Sequence, residues 1–342
     1  MEIRTVGIDL GKAVFHVVAL DTGGKIVLKK RFSRPQLLNF TLNLPTCLIG
    51  MEACCAHLLG RILVEQGHQV RLIPAQFVRP FLKSNKNDYL DAEAIAEAVQ
   101  RPTMRFVPIK TTDQLDLQAI HRVRDRLVSR RTSVINQIRA FLLERGITFR
   151  KGRAYLRRQM PWILENAENS LSPLLRQLLF ELWQEWQALE TQIEQLNHRI
   201  SLIARQDSTC QRLLEIPGVG VLVATALVAA IGNGSAFRQG RHFAAWLGLV
   251  PRQHSTGGTP RLLGISKRGN PYLRRLFVHG ARSVILHLNR EQHTLGEWIN
   301  KLEPRAHRNV VIVALANKLA RISWAVLAKG EDYCPISLPI AS

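Results

Sequence analysis

The chain has 342 residues, enough for two or three domains, and Lys and Arg outnumber Asp and Glu by 47 to 26, a formal net charge of +21. At 46% hydrophobic residues it can bury real cores, and an excess of cations on this scale is the electrostatic footprint of a protein that neutralises nucleic-acid phosphates. No run reaches the ~18 consecutive apolar residues of a spanning helix, and the basic residues are spread over several segments, which argues against a membrane partner.

Met1 leads almost at once into a strand-like run, without the charged, apolar and small-residue regions of a secretory signal, so the expected location is the cytoplasm, in association with the nucleoid. Residues 3 to 10, 14 to 20 and 25 to 32 are β-rich runs separated by Gly11-Lys12 and by Asp21-Thr22-Gly23-Gly24, which predicts an antiparallel three-strand meander. A helix at 35 to 42, a buried strand at 47 to 50, a helix at 55 to 66 and a strand at 69 to 73 follow. This β-β-β-α-β-α-β order predicts an α/β sheet of the RNase H type, assigned to a domain at residues 1–108. Residues 88 to 100 read as a short Ala-rich helix ended by Arg101-Pro102.

From 112 to 144 the apolar spacing turns wholly helical, and the polar face carries Arg122, Arg124, Arg126, Arg130, Arg131 and Arg139. Solvated helix faces usually mix signs, so a face of one sign predicts contact with a nucleic-acid backbone. A second long helix at 173 to 205 has mixed charges and could pair with the first as an antiparallel hairpin or with a partner chain as a coiled coil. Residues 109–208 are assigned to this basic helical region and 209–342 to a compact, mainly helical C-terminal domain. There, Ile216-Pro217-Gly218-Val219-Gly220 suits a helix-hairpin-helix loop in which Gly218 and Gly220 present backbone N–H groups to a phosphate, and suits a plain Pro-Gly turn equally well. A Gly/Ser/Thr-rich loop at 252 to 264 and helices at 271 to 288 and 305 to 329 complete the domain.

Asp9 and Glu52 end the first and fourth strand-like runs, where a buried charge is costly unless paired or bound to metal. Asp88 and Asp91 are three apart on a helix and share one face. Four hard oxygen donors in this order suit Mg2+, or Mn2+, at a site for phosphoester chemistry, with Glu93 and Glu97 as nearby substitutes. Residues 251 to 275 hold Ser255 and Thr256 before Gly257-Gly258, then Lys267, Arg268, Arg274 and Arg275: a hydroxyl nucleophile on a flexible loop among cations that could stabilise developing charge. The five cysteines form no Cys-x-x-Cys pair and no zinc spacing, and are expected to be reduced and mostly buried.

Taken together, Gly-Ile-Asp at 7 to 9, Met-Glu-Ala at 51 to 53, Asn-Asp-Tyr-Leu-Asp-Ala at 87 to 92, Ile-Pro-Gly-Val-Gly at 216 to 220, Ala-Ala-Trp-Leu-Gly-Leu-Val-Pro at 244 to 251, and Ser-Thr-Gly-Gly followed by Ile-Ser-Lys-Arg-Gly carry a resemblance over nearly the whole chain. The sequence resembles the DEDD transposases of bacterial insertion sequences, family one-hundred-ten with its subgroup eleven-eleven, which includes the pilin-gene invertase. The resemblance implies a RuvC-like domain whose Asp9, Glu52, Asp88 and Asp91 bind Mg2+, and a C-terminal transposase domain whose serine forms a covalent phosphoserine with DNA. It further implies a structured guide RNA from the element's own end, pairing with donor and target DNA, and a homo-oligomer that is a tetramer built from dimers. The basic helices suit a protein that leaves sequence reading to base pairing. Counting forward from Pro251 places the nucleophile at Thr256, and counting back from the Ile-Ser-Lys motif places it at Ser255; Ser255 is preferred for its less crowded primary hydroxyl.

Two other readings compete. A RuvC-type junction nuclease would cleave with water and leave no covalent intermediate, and a nucleic-acid-binding regulator on an inactive nuclease fold would need none of the four carboxylates. A tyrosine recombinase is disfavoured, since Tyr333 is the sole late candidate among four tyrosines.

Overall fold

The computed structural model describes residues 2–83, 87–148, 150 and 152–334, and divides into two compact units, Met1–Thr112 and Asp113–Ser342. The first unit is built on a five-stranded mixed sheet. Strands β1 (Thr5–Leu10), β2 (Val14–Leu20) and β3 (Ile26–Ser33) form the expected meander, and β4 (Leu48–Glu52) and β5 (Gln69–Ile73) join parallel to β1 in the order β3-β2-β1-β4-β5. The Gly11 position opens the tight turn into β2: a Cβ there would lie 2.2 Å from the Val14 carbonyl oxygen.

Helices α1 (Arg34–Leu42) and α2 (His57–Glu65) supply Leu37, Leu59 and Leu63 to an apolar core shared with Val6, Ile8, Ile49 and Met51 of the strands. After the short α3 (Ala75–Val78), helix α4 (Asp88–Ala98) packs directly on β1, β2 and β4. What lets it sit so close is Gly7, register partner of Gly50 in the parallel pair β1–β4. A Cβ on Gly7 would stand 2.1 Å from the Ala92 carbonyl oxygen and 2.6 Å from the Ala96 nitrogen, and one on Gly50 would stand 2.8 Å from the Val99 Cβ. Two side-by-side glycines therefore make a bed for an alanine-lined helix.

Among its described residues, the regular structure of the second unit is helical apart from one hairpin. Helices α5 (Thr112–Leu143), α6 (Arg153–Glu165) and α7 (Pro173–Gln206) share a core of Leu127, Ile138, Leu156, Met160, Trp186 and Ile193. The two long helices thus partner each other within the chain. Helices α8 (Ser208–Leu214), α9 (Val221–Ile231), α10 (Gly240–Trp246), α11 (Pro271–His287), α12 (Thr294–Leu302) and α13 (Arg308–Lys329) enclose a second core around Phe243, Phe277, Leu315 and Leu319. The expected division near residue 208 thus separates two apolar cores inside one compact unit. By length and composition α13 could cross a membrane, but its Val311, Leu315, Leu319 and Val326 are buried in the helical core.

Residues 252 to 264, expected as a flexible loop, form an antiparallel hairpin of β6 (Pro251–Thr256) and β7 (Thr259–Ile265). Its turn is Gly257-Gly258, with φ of +55° and +78°, the two consecutive positive values that a tight hairpin turn of matching twist requires. Glycine spacing suggested mobility here, whereas the physical use of the glycines is to close a two-residue turn.

Candidate active site

Asp9 is the penultimate residue of β1, the central strand, and Glu52 is the last residue of β4 beside it. Period-two alternation puts Asp9 on the same face as Gly7, and Glu52 on the same face as Gly50, so both carboxylates lie on the face that receives α4. The helix begins there: Asn87 caps it by accepting from the Tyr89 N–H, and Asp88 and Asp91 occupy its first turn, where the helix dipole favours negative charge. Ligand oxygens of Asp9, Asp88 and Asp91 come within 4.8 Å of one another.

Burial, then the Asp91 and Asp88 carboxylates, push the Asp9 carboxyl above its ordinary range, opposed by His16 and a hydrogen bond from the Leu10 backbone. Glu52 lies outside the 4.8 Å group, but it senses the same charges: burial, then Asp9 and Asp91, raise its carboxyl, and Arg79 opposes them. A set of oxygen donors that repel one another fits a hard divalent cation, which would offset that repulsion directly. Glu93 and Glu97 are engaged away from this cluster, since both carboxylates take the Lys83 ammonium, at 2.7 and 2.8 Å.

Sequence reasoning missed His16. It pairs with Asp9 across the β1–β2 ladder, its Nδ1 stands 3.7 Å from Asp88 Oδ2, and its ring meets Tyr89 edge-on at 4.8 Å. The expected runs at 3 to 10 and 14 to 20 would set residue 15 opposite residue 9, whereas the ladder ends at Leu10 with Phe15 and so sets His16 there.

In the second unit, every residue of β6 is exposed. Ser255 pairs with Pro260 and Thr256 with Thr259, and alternation places the two hydroxyls on opposite faces of the hairpin. Gln253 shares the Ser255 face and its Nε2 donates to Ser255 Oγ at 2.7 Å, whereas His254 and its register partner Arg261 share the Thr256 face. The basic surround expected of Ser255 is therefore split between faces.

The loop that follows is held tightly. Ser266 and Lys267 donate backbone N–H groups to the Val250 and Gly248 carbonyls, and Lys267 adopts φ +54°. Gly269 is indispensable in this packing, because a Cβ would fall 1.7 Å from the Trp246 carbonyl oxygen. Arg274 donates to the Leu247 and Arg268 carbonyls at 2.8 Å each, and Arg275 pairs with Asp125 while lying over the Tyr272 ring. Lys267 and Arg268 expose their side chains.

The arginines of α5 divide in the same way. Arg124 donates to Asn197, Arg130 pairs with Glu185, Arg131 faces Glu190, and Arg139 donates to the Gly152 carbonyl. Arg122 and Arg126, four apart, are exposed. Gly218, with φ +81°, is explained by packing: a Cβ would lie 2.8 Å from the Gly280 carbonyl oxygen of α11, while Gly220 stands in open space ahead of α9.

A family described as transposase of the IS116/IS110/IS902 family matches residues 210–296, and a DEDD transposase family matches residues 6–146. The chain is 47% identical to the transposase for insertion sequence element IS1328 of Yersinia enterocolitica, over 97% of this chain and 98% of that one. It is 40% identical to the transposase for IS1111A of Coxiella burnetii, over 97% and 92%, and 30% identical to the pilin gene-inverting protein of Moraxella bovis, over 47% and 46%. The mixed-sheet α/β unit and the mostly helical remainder are consistent with a DEDD nuclease-like fold.

Proposed function

The chain belongs to the IS116/IS110/IS902 family of insertion-sequence transposases, enzymes that cleave and rejoin DNA, and we propose that it acts as an RNA-guided recombinase with a serine nucleophile. The DEDD domain carries divalent-metal dependence with it. The observation that supports the reading most strongly is the meeting of Asp9, Asp88 and Asp91 at the carboxyl ends of the central strands. We read the first unit as RNase H-like in the RuvC manner, α5 to α7 as the basic helical region, and residues 216–220 as a helix-hairpin-helix-like loop.

Asp9, Glu52, Asp88 and Asp91 would hold Mg2+. When bound, the ion would polarise a scissile phosphodiester and neutralise charge that develops on it. Ser255 Oγ forms a bond to phosphorus as the bond from phosphorus to one deoxyribose oxygen breaks; the serine loses its proton and the departing oxygen gains one. The product is a phosphoserine, and rejoining runs the same exchange in reverse with a deoxyribose hydroxyl. Gln253, by donating to Ser255 Oγ, leaves the serine hydrogen directed elsewhere and the side chain oriented. Lys267 and Arg268 are exposed cations that could meet the phosphate. The partners are donor DNA, target DNA and the element's guide RNA, and the working assembly is a tetramer of two dimers.

A junction nuclease, with water as nucleophile and Ser255 structural, draws support from an acidic cluster assembled wholly within residues Met1–Thr112. One experiment separates the two. The protein is incubated with element-end RNA, donor and target DNA and Mg2+, and denaturation-resistant protein–DNA adducts are sought in the wild type, Ser255→Ala and Thr256→Ala. An adduct lost only in Ser255→Ala is expected. Loss only in Thr256→Ala moves the nucleophile to the other face of the hairpin, and cleavage without any adduct selects the nuclease.

A further inference from the structure

The cysteines depart from expectation: Cys47 and Cys210 are buried, but Cys54, Cys55 and Cys334 are exposed. Cys54 and Cys55 are adjacent, begin two residues after Glu52, and hold their sulfurs 3.9 Å apart. Side chains of neighbouring residues in an extended segment point to opposite faces, so two adjacent thiols meet only where the backbone turns sharply. Here Cys55 supplies the turn with φ +57°; Lys267 is the other non-glycine residue with positive φ among the described residues. The conformation costs about 1–3 kcal/mol for a residue bearing a Cβ, and what it gains is a pair of solvent-facing sulfurs side by side.

We propose that Cys54 and Cys55 are a two-thiol modification site, closed by hydroperoxides into a disulfide between adjacent residues, and that closure suppresses the metal-dependent chemistry of the neighbouring acidic cluster. The balance is complete with a hydroperoxide as oxidant. One thiol reduces it, releasing an alcohol or water and leaving a sulfenic acid; the second thiol displaces water from that sulfenic acid. Two S–H bonds and the peroxide O–O bond are lost, and one S–S bond and two O–H bonds, in the alcohol or water and the displaced water, are formed.

Bonding requires the sulfurs to close from 3.9 Å to about 2 Å, a rotation of two side chains already facing each other. The product is strained, because adjacent Cα atoms sit about 3.8 Å apart, below the usual disulfide range of about 4.4–6.8 Å. Strain raises the reduction potential, so the bond is readily reopened by thiols and suits a reversible modification better than a structural staple. Its reach to the active site is covalent. The ring would include the Cys54–Cys55 peptide bond, and the chain between it and β4 is Ala53, whose N–H is tied to the Ile73 carbonyl at 2.9 Å, and then Glu52.

The effect on catalysis rests on the recombinase reading, but the thiol chemistry does not, and the test reads both. The full-length protein is treated with hydrogen peroxide and then with dithiothreitol, followed by intact mass, peptide mapping under non-reducing conditions, and Mg2+-dependent cleavage of element-end DNA. Expected is a mass decrease of about 2 Da mapped to a Cys54–Cys55 bridge, with cleavage lost and then restored by the reductant. Cys55→Gly, which suits the positive φ, should cleave DNA as the wild type does and keep its activity in peroxide. Bridging between chains, bridging to Cys334, or sulfinic acid at either residue without a bridge overturns the proposal, as does a Cys54–Cys55 bridge that leaves cleavage unchanged. Wild-type protein that bridges but never cleaves DNA, reduced or oxidised, refutes the enzymatic reading and with it the control of catalysis, while the thiol site stands on its mass.

Discussion

The Tyr272 hydroxyl donates to His121 Nδ1 at 2.9 Å, joining the start of α11 to the middle of α5. The direction follows from the far side of the ring. Thr225 has one hydroxyl hydrogen and gives it to the Val221 carbonyl, so it must accept from His121 Nε2, which leaves Nδ1 as the acceptor. The imidazole is thus held neutral, and burial, with Arg124 adding to it, lowers His121 to about 4. Tyr272 lies two residues after Asn270, the cap that starts α11 and ends the Lys267–Arg268 loop, so this buried contact anchors the cationic loop from behind.

A pH dependence follows. The folded pKa of His121 is below the unfolded one, so the unfolded chain binds the proton first; the stability is intact above about 6.5 and is lost as pH falls from there through about 4. The full span corresponds to roughly 3 kcal/mol. Urea unfolding at pH 7.5 and pH 5 should show wild type losing more stability than His121→Gln, whose side chain stays neutral. Equal losses would mean that His121 takes up no proton in this window.

Gly7→Ala tests the seat of α4. A Cβ within 2.1 Å of the Ala92 carbonyl cannot be accommodated without moving the helix that carries Asp88 and Asp91. Expected are a loss of about 1–3 kcal/mol in stability, from overpacking, and loss of DNA cleavage. A thermal melt with the wild-type midpoint would show that the helix can shift at no cost.

Asp9→Asn should separate stability from function. It removes a charge that burial, Asp91 and Asp88 all oppose, so the metal-free variant should melt no lower than wild type. DNA cleavage should vanish while nucleic-acid binding persists. Mn2+ or Mg2+ at about 100 times its dissociation constant should stabilise wild type by about 2.7 kcal/mol and the variant far less. Equal metal stabilisation of both would place the ion elsewhere.

The arginines of α5 should not be equivalent. Arg122→Ala and Arg126→Ala, at exposed positions, should each weaken nucleic-acid binding and reduce the slope of log K against log salt by about 0.7–0.9. Arg131→Ala should act mainly on stability, since Glu190 is buried among Arg131, Arg153 and Arg157. Glu190→Gln, which strands those cations, should be destabilising by about 1–3 kcal/mol, less than a wholly buried pair because Arg153 and Arg157 reach solvent. A salt titration of binding beside urea melts of the four variants would check the division.

The sequence by itself determined whatever depends on local pattern. Period-two alternation and turn residues set the meander, β4 and β5, and they place Asp9 and Glu52 at strand ends; three-residue spacing puts Asp88 and Asp91 on one helical face. Those properties need no knowledge of what lies across the fold. Tertiary structure decided everything that turns on a distant partner. It seated α4 through the side-by-side Gly7 and Gly50, drew His16 to Asp88, and gave Glu93 and Glu97 to Lys83. It also engaged Arg124, Arg130, Arg131, Arg274 and Arg275 inside the chain while leaving Arg122 and Arg126 exposed. A run of like charges records composition, whereas pairing depends on which helix packs alongside and in what register, and that is settled only when the cores of Leu127 to Ile193 and of Phe243 to Leu319 close around their apolar contacts.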